Sequence, residues 1–123
     1  MNNAFSILVV DDEAQIRKLL EISLEANQYK VLFAVNGKEG IAISASHQPD
    51  LILLDINMPI LDGWQFLEEY KTIKNNLSKD IVINILTSSD DKEDLNKAEL
   101  FKEEIHKYYT KPVTVALIKD IFQ

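Results

Sequence analysis

Short apolar segments rich in β-branched residues recur along the chain and alternate with longer segments of helical periodicity. The apolar segments predict five β-strands: Ser6–Val10, Lys30–Val35, Leu51–Leu54, Ile81–Leu86 and Lys107–Thr110. In the segments between them, apolar residues recur at steps of three or four. These segments predict five helices: Glu13–Asn27, Gly37–Ser46, Asp62–Lys74, Asp90–Phe101 and Val113–Phe122.

The segment Leu51–Leu54 is apolar at every position instead of alternating with polar residues. Such a strand has helices on both of its faces, as in the centre of a parallel sheet. Strands that alternate with helices through right-handed crossovers give an open α/β sandwich. We therefore predict an α/β fold: a doubly wound, five-stranded parallel sheet of (βα)5 type with the flavodoxin-like strand order 2-1-3-4-5.

Length and charge restrict the classes of function. A chain of 123 residues predicts one domain over residues 1–123, with no output domain. Thirteen basic and 20 acidic residues give a net charge of −7, which disfavours binding to nucleic acid or to an anionic membrane surface. The chain has no cysteine, and its N-terminus has no basic segment of the kind that begins a signal peptide. These features predict a cytoplasmic protein that binds proteins or cations.

Polar side chains follow the predicted strands at their carboxyl ends. The first strand is followed by Asp11, Asp12 and Glu13, and the third is followed by Asp55. Thr87 comes at the end of the fourth strand and Lys111 at the end of the fifth. Ligands of open α/β sheets bind beyond these carboxyl ends, where the strand order reverses. We therefore expect the acids, the hydroxyl and the ammonium to lie at one edge of the sheet.

Carboxylates gathered at one edge repel each other unless a cation joins them. Oxygen ligands without a nearby histidine or cysteine favour Mg²⁺. A carboxylate beside Mg²⁺, a hydroxyl and an ammonium suits the formation of an aspartyl phosphate. The alternative is that the acids only cap the helices that follow them, because aspartate is a favourable N-cap. Capping does not explain why an apolar strand delivers Asp55 beside a lysine and a threonine.

Together these motifs resemble the receiver domain of response regulators in two-component signalling. The resemblance covers nearly the whole chain and depends on the order and spacing of the motifs more than on any one of them. The motifs are Leu8-Val9-Val10-Asp11-Asp12-Glu13, Asp50-Leu51-Ile52-Leu53-Leu54-Asp55-Ile56-Asn57-Met58-Pro59, Asp62-Gly63, Leu86-Thr87-Ser88 and Lys111-Pro112.

The resemblance implies a single-domain response regulator that is phosphorylated on Asp55 by a histidine kinase or a phosphotransfer protein. It implies that Mg²⁺ is bound by Asp12, by Asp55 and by the main-chain carbonyl of Asn57, and by Asp11 through water. The resemblance also implies that Thr87 and Lys111 contact phosphoryl oxygens and that the Lys111–Pro112 bond is cis. It implies a conformational switch through Thr87 and Tyr108 that a downstream protein recognises.

One departure from the family pattern lies before the fifth strand, where Glu104-Ile105 replaces the usual Gly-Ala-like pair. Glycine is the residue that most readily forms the left-handed cap of a helix. We therefore expect the fourth helix to end differently or to continue further.

Two other functions remain open. A small Mg²⁺-dependent phosphohydrolase would also form an aspartyl phosphate, but the haloacid dehalogenase type needs Asp-x-Asp after its first strand, and the Asp55-Ile56-Asn57 segment lacks the second acid. A phosphorylation-independent pseudo-receiver is disfavoured by the presence of Asp12, Asp55, Thr87 and Lys111. We therefore expect no enzyme activity apart from the domain's own phosphorylation and dephosphorylation.

Overall fold

The computed structural model describes residues 5–88 and 92–121, in which strands and helices alternate along the chain. The strands are β1 (Ser6–Val10), β2 (Lys30–Ala34), β3 (Leu51–Leu54), β4 (Val82–Thr87) and β5 (Ile105–Thr110). The helices are α1 (Ala14–Glu25), α2 (Gly37–His47), α3 (Gly63–Ile73), α4 (Lys92–Leu100) and α5 (Val115–Ile121). A short 3-10 turn over Lys74–Asn76 follows α3.

The five strands form one parallel sheet in the order β2-β1-β3-β4-β5. This confirms the predicted fold class and strand order. The register pairs Val10 at the end of β1 with Leu54 at the end of β3. Asp11 and Asp55, the residues that follow these two strands, are therefore level with each other at the carboxyl edge of the sheet.

Apolar side chains alternate between the two faces of the sheet and form two hydrophobic clusters. On one face, Leu8 and Val10 of β1 belong to a cluster with residues of α2, α3 and α4. On the other face, Ile7 and Val9 belong to a cluster with residues of α1 and α5. All four side chains are fully buried, as are those of β3 to within a few per cent. Helices therefore cover both faces of the central strands, which explains why these strands are apolar on both faces, as predicted.

The end of α4 differs from the usual left-handed cap, in keeping with the absence of glycine there. The N–H groups of Glu104 and Ile105 both donate to the carbonyl of Phe101 at 2.9 Å. Among the described residues, only Gln28, Gln48 and Ile60 have a positive φ, so this turn needs no left-handed residue. The turn lets β5 begin at Ile105, two residues before the predicted start.

Other boundaries move by one or two residues. Helix α5 begins at Val115, and the Thr114 hydroxyl accepts a hydrogen bond from the N–H of Leu117 at 3.0 Å. The predicted start of the fourth helix, Asp90, and the predicted end of the fifth, Phe122, lie outside the described residues. No helix within residues 5–88 and 92–121 has the length and apolar character needed to cross a membrane.

Candidate phosphorylation site

The acids that follow β1 and β3 meet at the carboxyl edge of the sheet. Asp11 and Asp55 are buried, with 1% and 3% of their surface exposed, whereas Asp12 is exposed. One carboxylate oxygen of each of the three residues lies within 4.8 Å of the other two. The predicted acidic cluster therefore forms, with one exposed member and two buried ones.

Backbone hydrogen bonds hold the two buried acids in place. The N–H of Asp55 donates to the carbonyl of Val10 at 2.9 Å, and the N–H of Asp11 donates to that of Ala34 at 3.0 Å. These bonds continue the pairing of β1 with its two neighbours by one residue. The carboxylates are thus carried by the rigid ends of strands, although the residues stand after the strands in sequence.

Lys111 brings a positive charge to this cluster. Its Nζ atom lies 3.0 Å from Oδ2 of Asp11 and 3.7 Å from Oδ2 of Asp55, and 8% of its side chain is exposed. The Lys111 N–H donates to the carbonyl of Thr87 at 2.7 Å, which ties the end of β5 to the end of β4. The Lys111–Pro112 peptide bond is cis, as predicted.

Burial and repulsion oppose ionisation of the two buried acids. Burial and, after it, the charge of Asp11 raise the pKa of Asp55 from 3.8 to about 7, against the opposing charge of Lys111. Burial also raises the pKa of Asp11, against the hydrogen bond from the Glu13 N–H and the nearby ammonium of Lys111. A cation that entered the cluster would favour the ionised form of both carboxylates.

The surroundings of the Asp11 carboxylate show whether a divalent cation fits the acidic cluster. Its Oδ2 atom is fully buried and, although it forms an ion pair with Lys111, accepts no hydrogen bond of good geometry among the described residues. A buried carboxylate oxygen without such a partner normally costs stability. The donors around it are hard carboxylate oxygens, which Mg²⁺ prefers. The residues present therefore fit a Mg²⁺ ion.

The other predicted site residues lie at the same edge or next to it. Asn57 is exposed, and its N–H donates to Oδ1 of Asp55 at 3.3 Å. Thr87 ends β4 and is fully buried. Tyr108 lies in β5, where it is half-buried and packs against the cluster of α2, α3 and α4. The roles assigned to these three residues remain predictions.

Two contacts at this edge were not predicted. Oε1 of Glu13 lies 2.6 Å from Nζ of Lys111, and Nη1 of Arg17 donates to the carbonyl of Asp11 at 2.9 Å. The sequence signal for the first was a third acid directly after Asp11 and Asp12. No sequence signal indicated the second, since arginine in a helix is more often solvated.

Comparisons with known proteins identify the family of the chain. The family model described as "Response regulator receiver domain" matches residues 7–123. The transcriptional regulatory protein ResD of Bacillus subtilis is 39% identical over 110 residues, which are 89% of this chain and 43% of that protein. The phosphate regulon transcriptional regulatory protein PhoB of Pseudomonas aeruginosa is 36% identical over 107 residues, 87% of this chain and 45% of that protein. The chain thus spans less than half the length of these curated relatives.

Among solved structures, the response regulator TrrA of Thermotoga maritima, in complex with Mg(2+)-BeF, has a TM-score of 0.78 and 31% sequence identity. The similarity covers 95% of each chain. The family match and the similarity of fold both extend over nearly the whole sequence. The chain belongs to the response regulator receiver domain family of two-component systems.

Proposed function

We propose that Asp55 accepts a phosphoryl group from a phosphohistidine of a histidine kinase or phosphotransfer protein. The observation that carries the proposal is a nearly buried carboxylate, 3% exposed, whose neighbours are two further acids and a lysine ammonium. A buried acid that is only part of the hydrophobic core would need none of these charged neighbours. Receiver domains are signalling domains and not classical enzymes, which fits such a transfer.

In this transfer, a carboxylate oxygen of Asp55 attacks the phosphorus atom of the phosphohistidine. The O–P bond forms as the P–N bond breaks, and the imidazole nitrogen keeps the electron pair and then takes a proton from solvent. The carboxylate must be ionised to attack. Lys111 lowers the pKa of Asp55, against burial and the charge of Asp11, and so increases the reactive fraction.

Asp11, Asp12, Asp55 and the main-chain carbonyl of Asn57 would hold Mg²⁺. The ion supplies charge neutralisation to the phosphoryl oxygens when it is bound. The ammonium of Lys111, 3.7 Å from Asp55, would form an ion pair with one phosphoryl oxygen. The hydroxyl of Thr87 would donate to another, which links the chemistry to the end of β4.

The output we propose is binding of a downstream protein through the face formed by α4, β5 and α5. Phosphorylation would move Thr87 and, through it, Tyr108 in β5. ResD and PhoB are transcriptional regulatory proteins, and this chain spans 43% and 45% of them. The names of these relatives support a role in transcription as a second candidate output. The net charge of −7 supports only the narrower prediction that residues 1–123 do not themselves bind DNA.

The test is labelling with a small phosphodonor such as phosphoramidate, with and without Mg²⁺. We expect Mg²⁺-dependent label on Asp55 that Asp55→Asn abolishes, because asparagine keeps the shape and removes the nucleophile. Asp80→Asn is the matched control, since Asp80 is an exposed acid outside the acidic cluster. Asp12→Ala should lose most of the Mg²⁺ dependence. Label that persists at the original rate in Asp55→Asn would refute the proposal.

The same preparation separates the phosphohydrolase alternative. A receiver should release little phosphate from a generic ester such as p-nitrophenyl phosphate. Multiple turnover that depends on Asp55 would instead favour an enzyme.

A further inference from the structure

Of the three ion pairs that Lys111 makes with Glu13, Asp11 and Asp55, the one with Glu13 is the shortest. Oε1 of Glu13 lies 2.6 Å from Nζ, compared with 3.0 Å for Asp11 and 3.7 Å for Asp55. The first two distances are within hydrogen-bond range and the third is beyond it. The ammonium is therefore held closer to Glu13 and Asp11 than to the proposed phosphoacceptor.

The position of Glu13 before α1 leaves its side chain available for this contact. Glu13 is the N-cap residue, but its side chain accepts no capping hydrogen bond. Its N–H donates to Oδ1 of Asp11 at 2.9 Å, which fixes the backbone next to the acidic cluster. The side chain, 55% exposed, reaches Lys111 across 98 positions of sequence. A helix cap therefore does not explain this glutamate.

We propose that Glu13 is a positioning residue that holds the Lys111 ammonium away from Asp55 and so weakens the binding of a phosphoryl group there. This inference rests on the proposed function, because it concerns the same lysine and the same phosphoacceptor. It adds a residue to which the family resemblance assigns no role.

The competition follows from the charges around the ammonium. A phosphoryl group on Asp55 brings three acceptor oxygens and a charge of about −1.5 to −2. A cation in the acidic cluster would balance the charge of Asp11, one of the two close partners of Lys111. Glu13 does not belong to the group of three acids that could hold a metal, so its charge would remain to compete for the lysine.

The competition is moderate because Glu13 is more than half exposed. Water screens an ion pair of this kind, and exposed pairs contribute little. Removing the charge should therefore tighten the binding of a phosphoryl analogue by about two- to fivefold. A much larger gain is not expected from one solvated contact.

The test is calorimetric titration of beryllofluoride in the presence of Mg²⁺. Glu13→Gln keeps the length of the side chain and removes its charge, and it should bind the analogue about two- to fivefold more tightly than the wild type. Glu25→Gln is the matched control, because Glu25 is an exposed acid at the far end of α1 with no ion pair in the described part of the chain. Its affinity should equal that of the wild type.

Two further readouts separate contact from a general effect of charge. In a Lys111→Met background, Glu13→Gln should give no gain, because the residue through which it acts is gone. In metal-free protein, the NMR signal of the Lys111 ammonium should shift in Glu13→Gln and stay in place in Glu25→Gln. If the analogue binds Lys111→Met too weakly to measure, the shift of the ammonium signal alone tests the contact between Glu13 and Lys111.

The outcomes for the inference and for the proposed function differ. A wild type that neither binds the analogue nor takes up label refutes the proposed function and the inference with it. A wild type that does both, with Glu13→Gln of equal affinity, refutes only the role of Glu13. A gain that persists without Lys111 also refutes it.

Discussion

At the scale of single residues, burial and charge conflict at the Asp55 carboxyl. An ordinary aspartate has a pKa of 3.8, and burial followed by the charge of Asp11 raises that of Asp55 to about 7. Between these values the carboxyl is ionised in the unfolded chain and neutral in the folded one. A group that ionises more easily when unfolded favours unfolding as the pH rises.

We therefore expect the free energy of unfolding of metal-free protein to fall as the pH rises from 3.8 to about 7, by at most about 1.4 kcal/mol per pH unit from this one group. Asp11 acts in the same direction, because its pKa is also raised by burial. Lys111 does not contribute to the trend. Despite its burial, its pKa is raised by the carboxylates of Glu13 and Asp11, so it stays protonated in both states over this range.

Urea unfolding in a chelator at about pH 5 and about pH 8 measures this effect. Asp55→Asn should lose a large part of the pH dependence and be more stable than the wild type at the higher pH. The exposed control Asp80→Asn should keep the wild-type slope. Equal slopes in the wild type and Asp55→Asn would contradict the buried, repelled state of this carboxyl.

The residues at the site could be predicted to different extents. Asp11, Asp55 and Lys111 could be predicted to lie together because strand ends of a parallel sheet share one edge. The contact of Glu13 with Lys111 could not, because it depends on the side-chain conformations of two loops that are distant in sequence. The pattern also gave no means to distinguish the exposed Asp12 from the buried Asp11.

At the scale of elements, one ion pair ties the end of α3 to the turn before β5. Nζ of Lys74 lies 2.8 Å from Oε2 of Glu104, whose side chain is only 4% exposed, whereas that of Lys74 is 37% exposed. The glutamate that replaces the family's small residues is therefore a buried partner of α3. Loss of the lysine would leave a buried carboxylate unpaired, and loss of the glutamate would leave only a lysine that can reach solvent.

We expect Lys74→Met to lower the free energy of unfolding by about 1–2 kcal/mol, and Glu104→Gln to lower it by less. Methionine keeps the apolar stem of the lysine. The difference in the free energy of unfolding between Lys74→Met and the wild type therefore reports the cost of leaving the Glu104 carboxylate unpaired. The control is Lys102→Met, because Lys102 pairs with Glu99 at 3.7 Å with both side chains more than two-thirds exposed. That variant should change stability by less than about 0.5 kcal/mol. A larger loss of unfolding free energy in Glu104→Gln than in Lys74→Met would contradict the cost assigned to the unpaired carboxylate.

Element type was predicted better than element ends. Strand β3 could be predicted from Leu51 to Leu54 because its apolar positions stop at an acid on each side. The start of β5 at Ile105 could not, because it depends on two N–H groups that share the carbonyl of Phe101. The ends of strands and helices depend on single hydrogen bonds, which hydrophobic periodicity does not predict.

At the scale of the whole molecule, the strand order leaves only β4 between the proposed phosphoacceptor after β3 and the strand β5 of the proposed output face. Asp55 follows β3, Thr87 ends β4, and Tyr108 pairs with Ile85 across β4 and β5. A change at the end of β3 therefore needs to cross only one strand to reach β5. Such a change acts by stabilising one of two pre-existing conformations, since a modification shifts a population only through its different interactions with each.

Tyr108 and Tyr109 give an internal comparison for this switch because they face opposite sides of the sheet. Tyr108 packs against the cluster of α2, α3 and α4. Tyr109 packs against the cluster of α1 and α5, and its hydroxyl donates to Oδ2 of Asp120 at 2.7 Å. A switch through Thr87 and Tyr108 should move the first tyrosine more than the second.

We therefore expect beryllofluoride with Mg²⁺ to shift the NMR signals of Tyr108 and of α4 strongly and those of Tyr109 weakly. Thr87→Ala should still bind the analogue at Asp55 but lose most of the shift at Tyr108, because the hydroxyl that carries the change is absent. Asp55→Asn, which cannot bind the analogue, supplies the baseline. Shifts confined to the residues around Asp55, with Tyr108 and α4 unchanged, would show that the output leaves the domain by another face.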